Sequence, residues 1–402
     1  MCDKHPTPSS DDWNYMRTEH LDHILDSLPS LEQNYWQDGY TTGIHNAWIR
    51  TVRRSGRNFH IDRSKKNRPY ITLKDSADDP IGVVTPWNVP TCTKTAGRIC
   101  QNKVKTQEIL HTAGINVPWY QVFGPDEADE AFDTAFAQGR REVVVKAPSF
   151  SQGLGVFLNV TEQDFKDRFQ ECVEMQKERK REPSVIVQEM VDGFELRVTI
   201  VEGEFFGSIV RIPAYVTGDG IHNIEELMSL KNEERQKDRA RSKRLLRRNT
   251  NMEAFMRSNS LSFSDVPEAG ERVLLSAISN ISFGAETANI TDIISEEIKD
   301  TALRAVAAIP GLYTGGVDIM VRGLQDAAPR VLEVNSFPHA TSFIYPTYGE
   351  SINPIAHYLD SYYAQHKFAR GKEENFSSKE KQLLSSRYDF CKLKLQLFPT
   401  ED

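Results

Sequence analysis

Two acids and an amide in the stretch GGVDIMVRGLQDAAPRVLEVNSFP are the residues best placed to do chemistry in this sequence. Asp318 lies in VDIM, and Glu333 and Asn335 lie in LEVNS, each flanked by apolar residues. Alternation along a strand puts Glu333 and Asn335 on one face, and a hairpin through the intervening polar loop can bring Asp318 beside them. Two carboxylates and an amide supply the oxygen donors that a hard cation such as Mg²⁺ needs, with water and substrate phosphates filling its remaining positions. A carboxylate stranded in an apolar strand would otherwise be costly. By spacing alone the pattern fits equally well the solvated side of a half-buried antiparallel sheet.

Two further segments could serve a phosphorylated nucleotide. EVVVKAPSFSQGLGV ends an apolar strand at Lys146 and runs on into a loop containing Ser149, Ser151, Gly153 and Gly155. Backbone amides of a small-residue loop can close over phosphate oxygens while a neighbouring lysine adds a point charge, although the spacing is not that of a Walker loop. A glycine-rich turn beside a surface lysine would look the same. Lys103, in NKVKTQEIL, is an ordinary helix lysine unless the fold carries it to that loop. In SVIVQEMVDGFELRVTIVEG, Glu189, Glu195 and Arg197 lie along a strand, a polar turn and a second strand. A purine needs an apolar slot with backbone donors and acceptors, and a ribose needs an acid that accepts from its hydroxyls. Gln188, Glu189, Met190 and Val191 would form the edge facing adenine, with Glu195 on the ribose; taken alone, the segment is equally an ordinary hairpin with outward acids.

These residues need elements to hold them, and 402 residues suit several lobes rather than one core, since domains usually hold roughly 100–200 residues. Residues 1–36 read as an extension capping the body, with one amphipathic piece, HLDHILDSL. A first α/β lobe spans 37–118: a helix through TTGIHNAWIRTVRRSG, strands at NFHID and YITLKD, and a helix over NKVKTQEIL stopped by Gly114. An α+β lobe spans 119–197, with strands at WYQVF, EVVVKAP and SVIVQEMV and helices over 126–138 and 161–181. A larger lobe spans 198–365, with a hairpin turning at Glu202–Gly203, a polar stretch from Asp219 to about Ser264, a helix over 295–308 and the hairpin bearing Asp318 and Glu333. Residues 366–402 are charged and read as a tail or a docking helix.

Composition narrows the function. A formal charge of −8 argues against a dedicated nucleic-acid binder, which must neutralise phosphates with lysine and arginine. The basic segment NEERQKDRARSKRLLRRN carries Glu233, Glu234 and Asp238 and reads as a solvated or mobile face, part of which folds over an anionic substrate. Five scattered cysteines lack the paired spacing of a zinc site or a disulfide framework and read as reduced thiols. With no leader-like start and no run of about 18 apolar residues, the expected location is the cytoplasm, with no membrane partner.

Taken in order, a helix lysine (Lys103), a strand lysine before a glycine-rich flap (Lys146), a hinge with a ribose acid (Glu189, Glu195) and an Asp followed by Glu-x-Asn (Asp318, Glu333, Asn335) resemble the ATP-grasp superfamily over about residues 40–360. The strings CTKTAGRICQNKVKTQEIL, RIPAYVTGDGIHNIEELMSLKN, VPEAGERVLLSAISNISFGAETANITD and LEVNSFPHATSFIYPTYG make the glutathione synthetase module of bifunctional glutathione-making enzymes the nearer resemblance, and cyanophycin synthetase a more distant one. The resemblance implies an α/β architecture of three lobes, with ATP held between two α+β lobes. It also implies Mg²⁺, two ions, with Mn²⁺ as a substitute, and amide-bond formation through an acyl phosphate. Carried over by position, Lys103 and Lys146 look like the phosphate-binding lysines and Arg211 like the cation that steadies the transferring phosphoryl group. Arg197, Arg211, Asn280 and His339 become candidate substrate contacts.

The chain departs from the pattern at one place. Where relatives carry an arginine ahead of an Asn-Ser-Asn run, it reads LLSAISNIS, with Ser276 and Ile278. Either Arg211, Arg197 or a residue of the basic 231–248 segment takes over, or the substrate differs. The large glutamate–cysteine ligase domain of the bifunctional enzymes is also missing, so the chain is expected to act alone or with a separate partner. The first expectation is an ADP-forming ligase joining a small-molecule carboxylate and amine, a γ-glutamyl or other amino-acid ligase making a small peptide or specialised metabolite. Glutathione synthetase itself, a small-molecule kinase on the same fold and a non-catalytic binding module are the alternatives. General base rates suggest a homodimer.

Overall fold

The structure, a computed structural model, describes residues 17–37, 43–62, 70–85, 88–148, 150, 155–276, 279, 284–337, 340–371 and 376–398. The first helix, α1 (Thr18–Ser27), turns Leu21, Ile24 and Leu25 into the core, a spacing that puts all three on one helical face. α2 (Ile44–Arg54) precedes an antiparallel meander of β1 (Phe59–Asp62), β2 (Tyr70–Lys74) and β3 (Pro80–Val84). Two helices follow, α3 (Lys94–Cys100) and α4 (Lys103–Thr112). Asn102 starts α4 by accepting the Lys105 N–H at 3.0 Å, and Gly114, at φ +68°, ends it where the sequence places the stop.

The second lobe is built from β4 (Tyr120–Phe123), α5 (Ala128–Phe136), β5 (Val143–Lys146), β6 (Val156–Val160), α6 (Phe165–Glu178) and β7 (Val185–Glu189). Its strands lie antiparallel in the order β4-β7-β5-β6. Phe132, Phe136, Phe165 and Phe169 knit α5 and α6 together over the sheet in a small core of their own. All of β5 is buried, so the strand delivers Lys146 to its end with no exposed position before it.

The third lobe runs through β8 (Phe194–Val201), β9 (Glu204–Ile212), β10 (Tyr215–Thr217), α7 (Ile224–Gln236), α8 (Thr250–Ser258), β11 (Arg272–Leu274), β12 (Glu286–Asn289), α9 (Glu296–Ala308), β13 (Gly315–Val321) and β14 (Arg330–Asn335). α10 (Thr341–Ile344), α11 (Pro354–Ala369) and α12 (Ser378–Leu397) close the chain. The main sheet is antiparallel throughout, in the order β12-β9-β8-β13-β14. α9 packs across β8, β13 and β14, and α12 packs on α9 and α11, so the charged C-terminal stretch is a docked helix.

The β8–β9 turn joins the lobes. Glu202 and Gly203 both take positive φ, +53° and +86°, the geometry that a two-residue hairpin requires, and a side chain at 203 would strike Phe390 of α12. Glu202 is 1% exposed and fully bonded. Its Oε1 accepts from the Thr91 and Thr314 hydroxyls at 2.5 and 2.7 Å, and its Oε2 from Gln365 Nε2 and Arg387 at 2.9 and 3.0 Å. One carboxylate thus ties the first lobe, β13, α11 and α12 to the hairpin tip.

The polar stretch after β10 corrects an expectation. Its basic residues form a solvated face only in part: Lys237, Arg239, Lys243, Arg247 and Arg248 are exposed, whereas Arg235 is 2% exposed and Arg241 is buried. Arg235 pairs with Glu286 at 2.9 Å and donates to the Arg244 and Gly284 carbonyls, while Lys231 reaches Glu286 at 3.3 Å and Arg241 holds Asp238. The cations are inside because Glu286, on β12, is inside and must be matched. Burial alone would raise the Glu286 carboxyl, yet Lys231, Arg235 and Arg241 hold it below the usual carboxylate range.

Replacing Glu202 tests the tie. Glu202→Ala leaves Arg387 and two hydroxyls without their acceptor in the interior and should cost about 3 kcal/mol, whereas Glu202→Gln, which keeps an acceptor oxygen, should cost less. Urea midpoints read both, and a Glu202→Ala midpoint matching wild type would contradict this assignment.

Candidate active site

The candidate site begins with a rung across the main sheet. Arg197 on β8, Asp318 on β13 and Glu333 on β14 are direct cross-strand partners, so pairing alone puts a cation and two anions side by side. Arg197 donates to both Asp318 oxygens, from Nη2 at 2.8 Å and also from Nε. Asn335, one step along β14 on the same face, donates from Nδ2 to Asp318 Oδ2 at 3.2 Å. Beside this rung Arg211 of β9 reaches Glu195 of β8 at 2.7 Å and lies 3.7 Å from Asp318. The opposite face of these strands carries Leu196, Val198, Val317 and Ile319, all buried in the main core. Strand alternation separates the two faces.

Two lysines approach from α4 and from the second lobe. Lys103, the first residue of α4, donates to the Phe150 carbonyl at 2.6 Å and stands 4.0 Å from the Glu333 carboxylate. α4 is held against β14 by Gln107, whose Nε2 donates to the Leu332 carbonyl at 2.8 Å. Lys146 is 8% exposed and donates to the Gln188 side-chain oxygen on β7. Burial and the neighbouring Lys103 charge push the Lys146 ammonium down to about 8, against the pull of Glu333. Glu195 moves the other way: burial and then Asp318 push its carboxyl up to about 7, although Arg211 and Arg197 oppose the shift. Opposed shifts in neighbouring groups mark this cluster as a candidate functional site.

Of the residues singled out from sequence, Lys103, Lys146, Gln188, Glu195, Arg197, Arg211, Asp318, Glu333 and Asn335 come together here. The Glu189 side chain does not join them. Its Oε1 accepts the Trp119 N–H at 2.8 Å and Arg330 Nη1 at 2.6 Å, which latches the end of β7 to the start of β14. Met190 and Val191 follow in the turn toward β8, where Gly193 leaves no room for a side chain because a Cβ would lie 2.1 Å from the Val321 carbonyl. Gly155, at φ +63°, faces the Phe150 ring. Ser149, Ser151, Gly153, Ile278, Asn280 and His339 lie outside the described residues.

Sequence reasoning passed over Arg330 and Phe150. Arg330 had one signal, a charge opening an otherwise apolar strand segment. Phe150 had another, a single large ring within a loop of serines and glycines; that ring is flanked by Arg179 and Arg181, 4.8 and 5.2 Å from its centre.

The donor set fits a hard divalent cation. Among the described residues no cluster of three or more His, Cys, Asp or Glu could hold a metal. The site instead offers two carboxylates and an amide, and Glu333 makes no hydrogen bond among the described residues, which leaves its oxygens to coordinate. Asp318 is already engaged by Arg197 and Asn335, so a cation there would share it.

No family model matches the chain. It is 30% identical over 260 residues to a glutathione biosynthesis bifunctional protein of Enterococcus faecalis, covering 63% of this chain and 34% of that protein. It is 31% identical over 258 residues to the protein of the same description from Desulfotalea psychrophila, covering 62% of this chain and 32% of that protein. The chain thus spans about a third of the length of the curated relatives it matches. Among solved structures it is similar to a bifunctional glutathione synthetase from Pasteurella multocida, with a TM-score of 0.56 and 24% identity over 76% of this chain and 42% of that one. No helix among the described residues is long and apolar enough to cross a membrane. In sequence the chain is thus similar to part of the bifunctional glutathione-biosynthesis proteins, and it shares the fold of the matching part of the Pasteurella multocida structure.

Proposed function

We propose that the chain is an ATP-dependent, ADP-forming ligase that joins a small-molecule carboxylate to an amine. One observation carries the reading: Lys103 spans from the Phe150 carbonyl to Glu333, so two lysine charges and the Asp318–Glu333 carboxylates converge on one cleft between lobes. That arrangement supports binding of a polyphosphate, with lysines on its oxygens and the carboxylates holding a counter-cation. Asp318, Glu333 and Asn335 would hold Mg²⁺, which when bound would neutralise charge on the phosphate oxygens. The γ-phosphoryl group passes to a substrate carboxylate oxygen, and ADP leaves. The amine nitrogen then attacks the acyl carbon, phosphate departs and the amine proton is lost to it or to water. Lys146 and Arg211 would offset the charge that develops, and the loop over 149–155 would cover the site and exclude water. Adenine would lie against Gln188 to Val191, with Glu195 toward the ribose.

Amino acids or short γ-glutamyl peptides are the substrate class we favour, made into a small peptide by a cytoplasmic enzyme, with the homodimer as its working assembly. The proximity of Arg197 and Arg211 to Asp318 supports their standing in for the arginine that Ser276 replaces. Glutathione synthetase is the second reading, favoured by the description of the relatives. A kinase would need no amine.

Three measurements test the reading. The double variant Glu333→Gln with Asn335→Ala should abolish ADP formation and weaken Mn²⁺ uptake, followed by electron paramagnetic resonance, while the circular dichroism spectrum stays unchanged; near wild-type turnover would sink the cation assignment. A screen of amino-acid pairs, including glutamate and γ-glutamylcysteine with glycine, should give ADP release only when an amine is present, with the amide product found by mass spectrometry. Release that needs no amine favours the kinase. ATP affinity should fall as pH rises from 7 to 9, because phosphates bind the charged form of Lys146 and that form is lost above about 8; the limiting loss is about tenfold per pH unit. Lys146→Arg keeps its charge and should flatten the profile. A wild-type affinity constant over that range would mean that Lys146 carries no part of phosphate binding.

A further inference from the structure

A cavity of about 290 Å³ opens between α2 and α11, roofed by Tyr345, and it shares no lining residue with the cleft described above. Its walls carry Arg50, Arg54 and Arg57 against a single acid, Asp360. In a chain of net charge −8, three arginines around one small hollow need a reason. Arg57 has one, since it pairs with Asp360 at 2.5 Å. Arg50 and Arg54 have no acid partner: among the described residues Arg50 donates only to the Tyr345 hydroxyl, and Arg54 has no hydrogen-bond or ion-pair partner. The two stand four residues apart on α2, one turn above the other on the same face, where like charges repel unless an anion lies between them.

The rest of the cavity suits an anion as well. Asn353 caps α11, accepting the Ile355 and Ala356 N–H groups at 3.1 and 3.3 Å and donating to Thr51 at 3.1 Å, so the positive end of a 16-residue helix borders the hollow. Arginine in the last turn of α2 is favoured by that helix's own dipole, which accounts for Arg54. It accounts neither for Arg50, a turn earlier, nor for the hollow. The volume lies at the lower end for small-molecule sites, large enough for one or two amino-acid units.

We propose that this cavity is a second ligand site, which binds a small oxyanion through the guanidinium groups of Arg50 and Arg54. The anion is a carboxylate of an amino acid or short peptide, or a phosphate. Planar guanidinium forks match both, and charge-assisted bonds to two of them give millimolar or better affinity. The proposal stands apart from the ligase reading, since it predicts binding without ATP and without turnover.

Calorimetric titration of the full chain with inorganic phosphate, L-glutamate and γ-glutamylcysteine, each to about 10 mM, tests it. At least one should bind saturably, and which one does identifies the source of the anion. Arg54→Gln should weaken that binding about tenfold. Because Arg54 is exposed and unpaired among the described residues, the variant should fold normally, whereas Arg50→Gln also removes a donor to the Tyr345 hydroxyl and serves as the second variant. Asp360→Asn, which removes the competing acid, should leave binding intact or tighten it. Lys146→Ala should leave it unchanged. No saturable binding by any of the three, or binding that survives both Arg54→Gln and Arg50→Gln, would overturn the proposal.

Discussion

Asp318 carries its charge on an interior strand of the main sheet, and it can do so only because Arg197 reaches it from β8 and Asn335 from β14. A carboxylate in that position without partners would be costly enough to reject the strand pairing itself. The pairing that satisfies Asp318 also sets the register of β8, β13 and β14, since a slip of one residue would turn Arg197 and Asp318 toward α9 and Val198 and Val317 toward the cleft. Register, dry core and polar face therefore follow from a single rung. Glu333, placed next to Asp318 by the same register, inherits a position that its own side chain did not select.

Three buried or half-buried acids differ in how fully the chain satisfies them. Glu202 is surrounded by four side-chain donors, and Glu286 by Arg235, Lys231 and the Tyr348 hydroxyl at 3.1 Å. Both are closed, with nothing left to offer a ligand. Glu333 is open: the ion pair to Lys103 at 4.0 Å is too long for a hydrogen bond. The closed acids lock hairpin tip, helices and sheet into one body, and the open one stands where that body meets the second lobe. Glu189 works between the two, as its bonds to Trp119 and Arg330 tie the second lobe to β14 at the edge of the cleft.

Most elements were legible in sequence because each carries a local signal. The 3.6-residue spacing in α1, the glycine that stops α4 and the hairpin turn at Glu202–Gly203 need no knowledge of the rest of the chain. The residues of the cleft were legible as types, and their convergence only through their order along the chain. What could not be read was partnership over long separation. Nothing near Arg235 announces that Glu286, some fifty positions on, would be buried beneath it, and an exposed charged helix has the same composition. The docking of α12 onto Gly203 and Glu202 is hidden for the same reason.

The charge balance of the cleft argues for an anionic ligand more strongly than any single motif does. Asp318 and Glu195 are each answered by an arginine, which leaves Lys103 and Lys146 facing Glu333 alone. Two ammonium groups stand near one partly solvated carboxylate, and burial, together with the Lys103 charge, lowers the Lys146 ammonium to about 8. A lysine depressed by burial and by a like neighbour recovers its proton when a polyanion arrives, because the repulsion and desolvation that held it down are then compensated. The pairing of Glu195 with Arg211 has the complementary property. A cation at Asp318 and Glu333 would stabilise the ionised Glu195 and so strengthen its ion pair. Nucleotide and cation would thus each favour the charge state that the other needs, and the cleft is stable without them because each of its groups has a weaker partner within the chain.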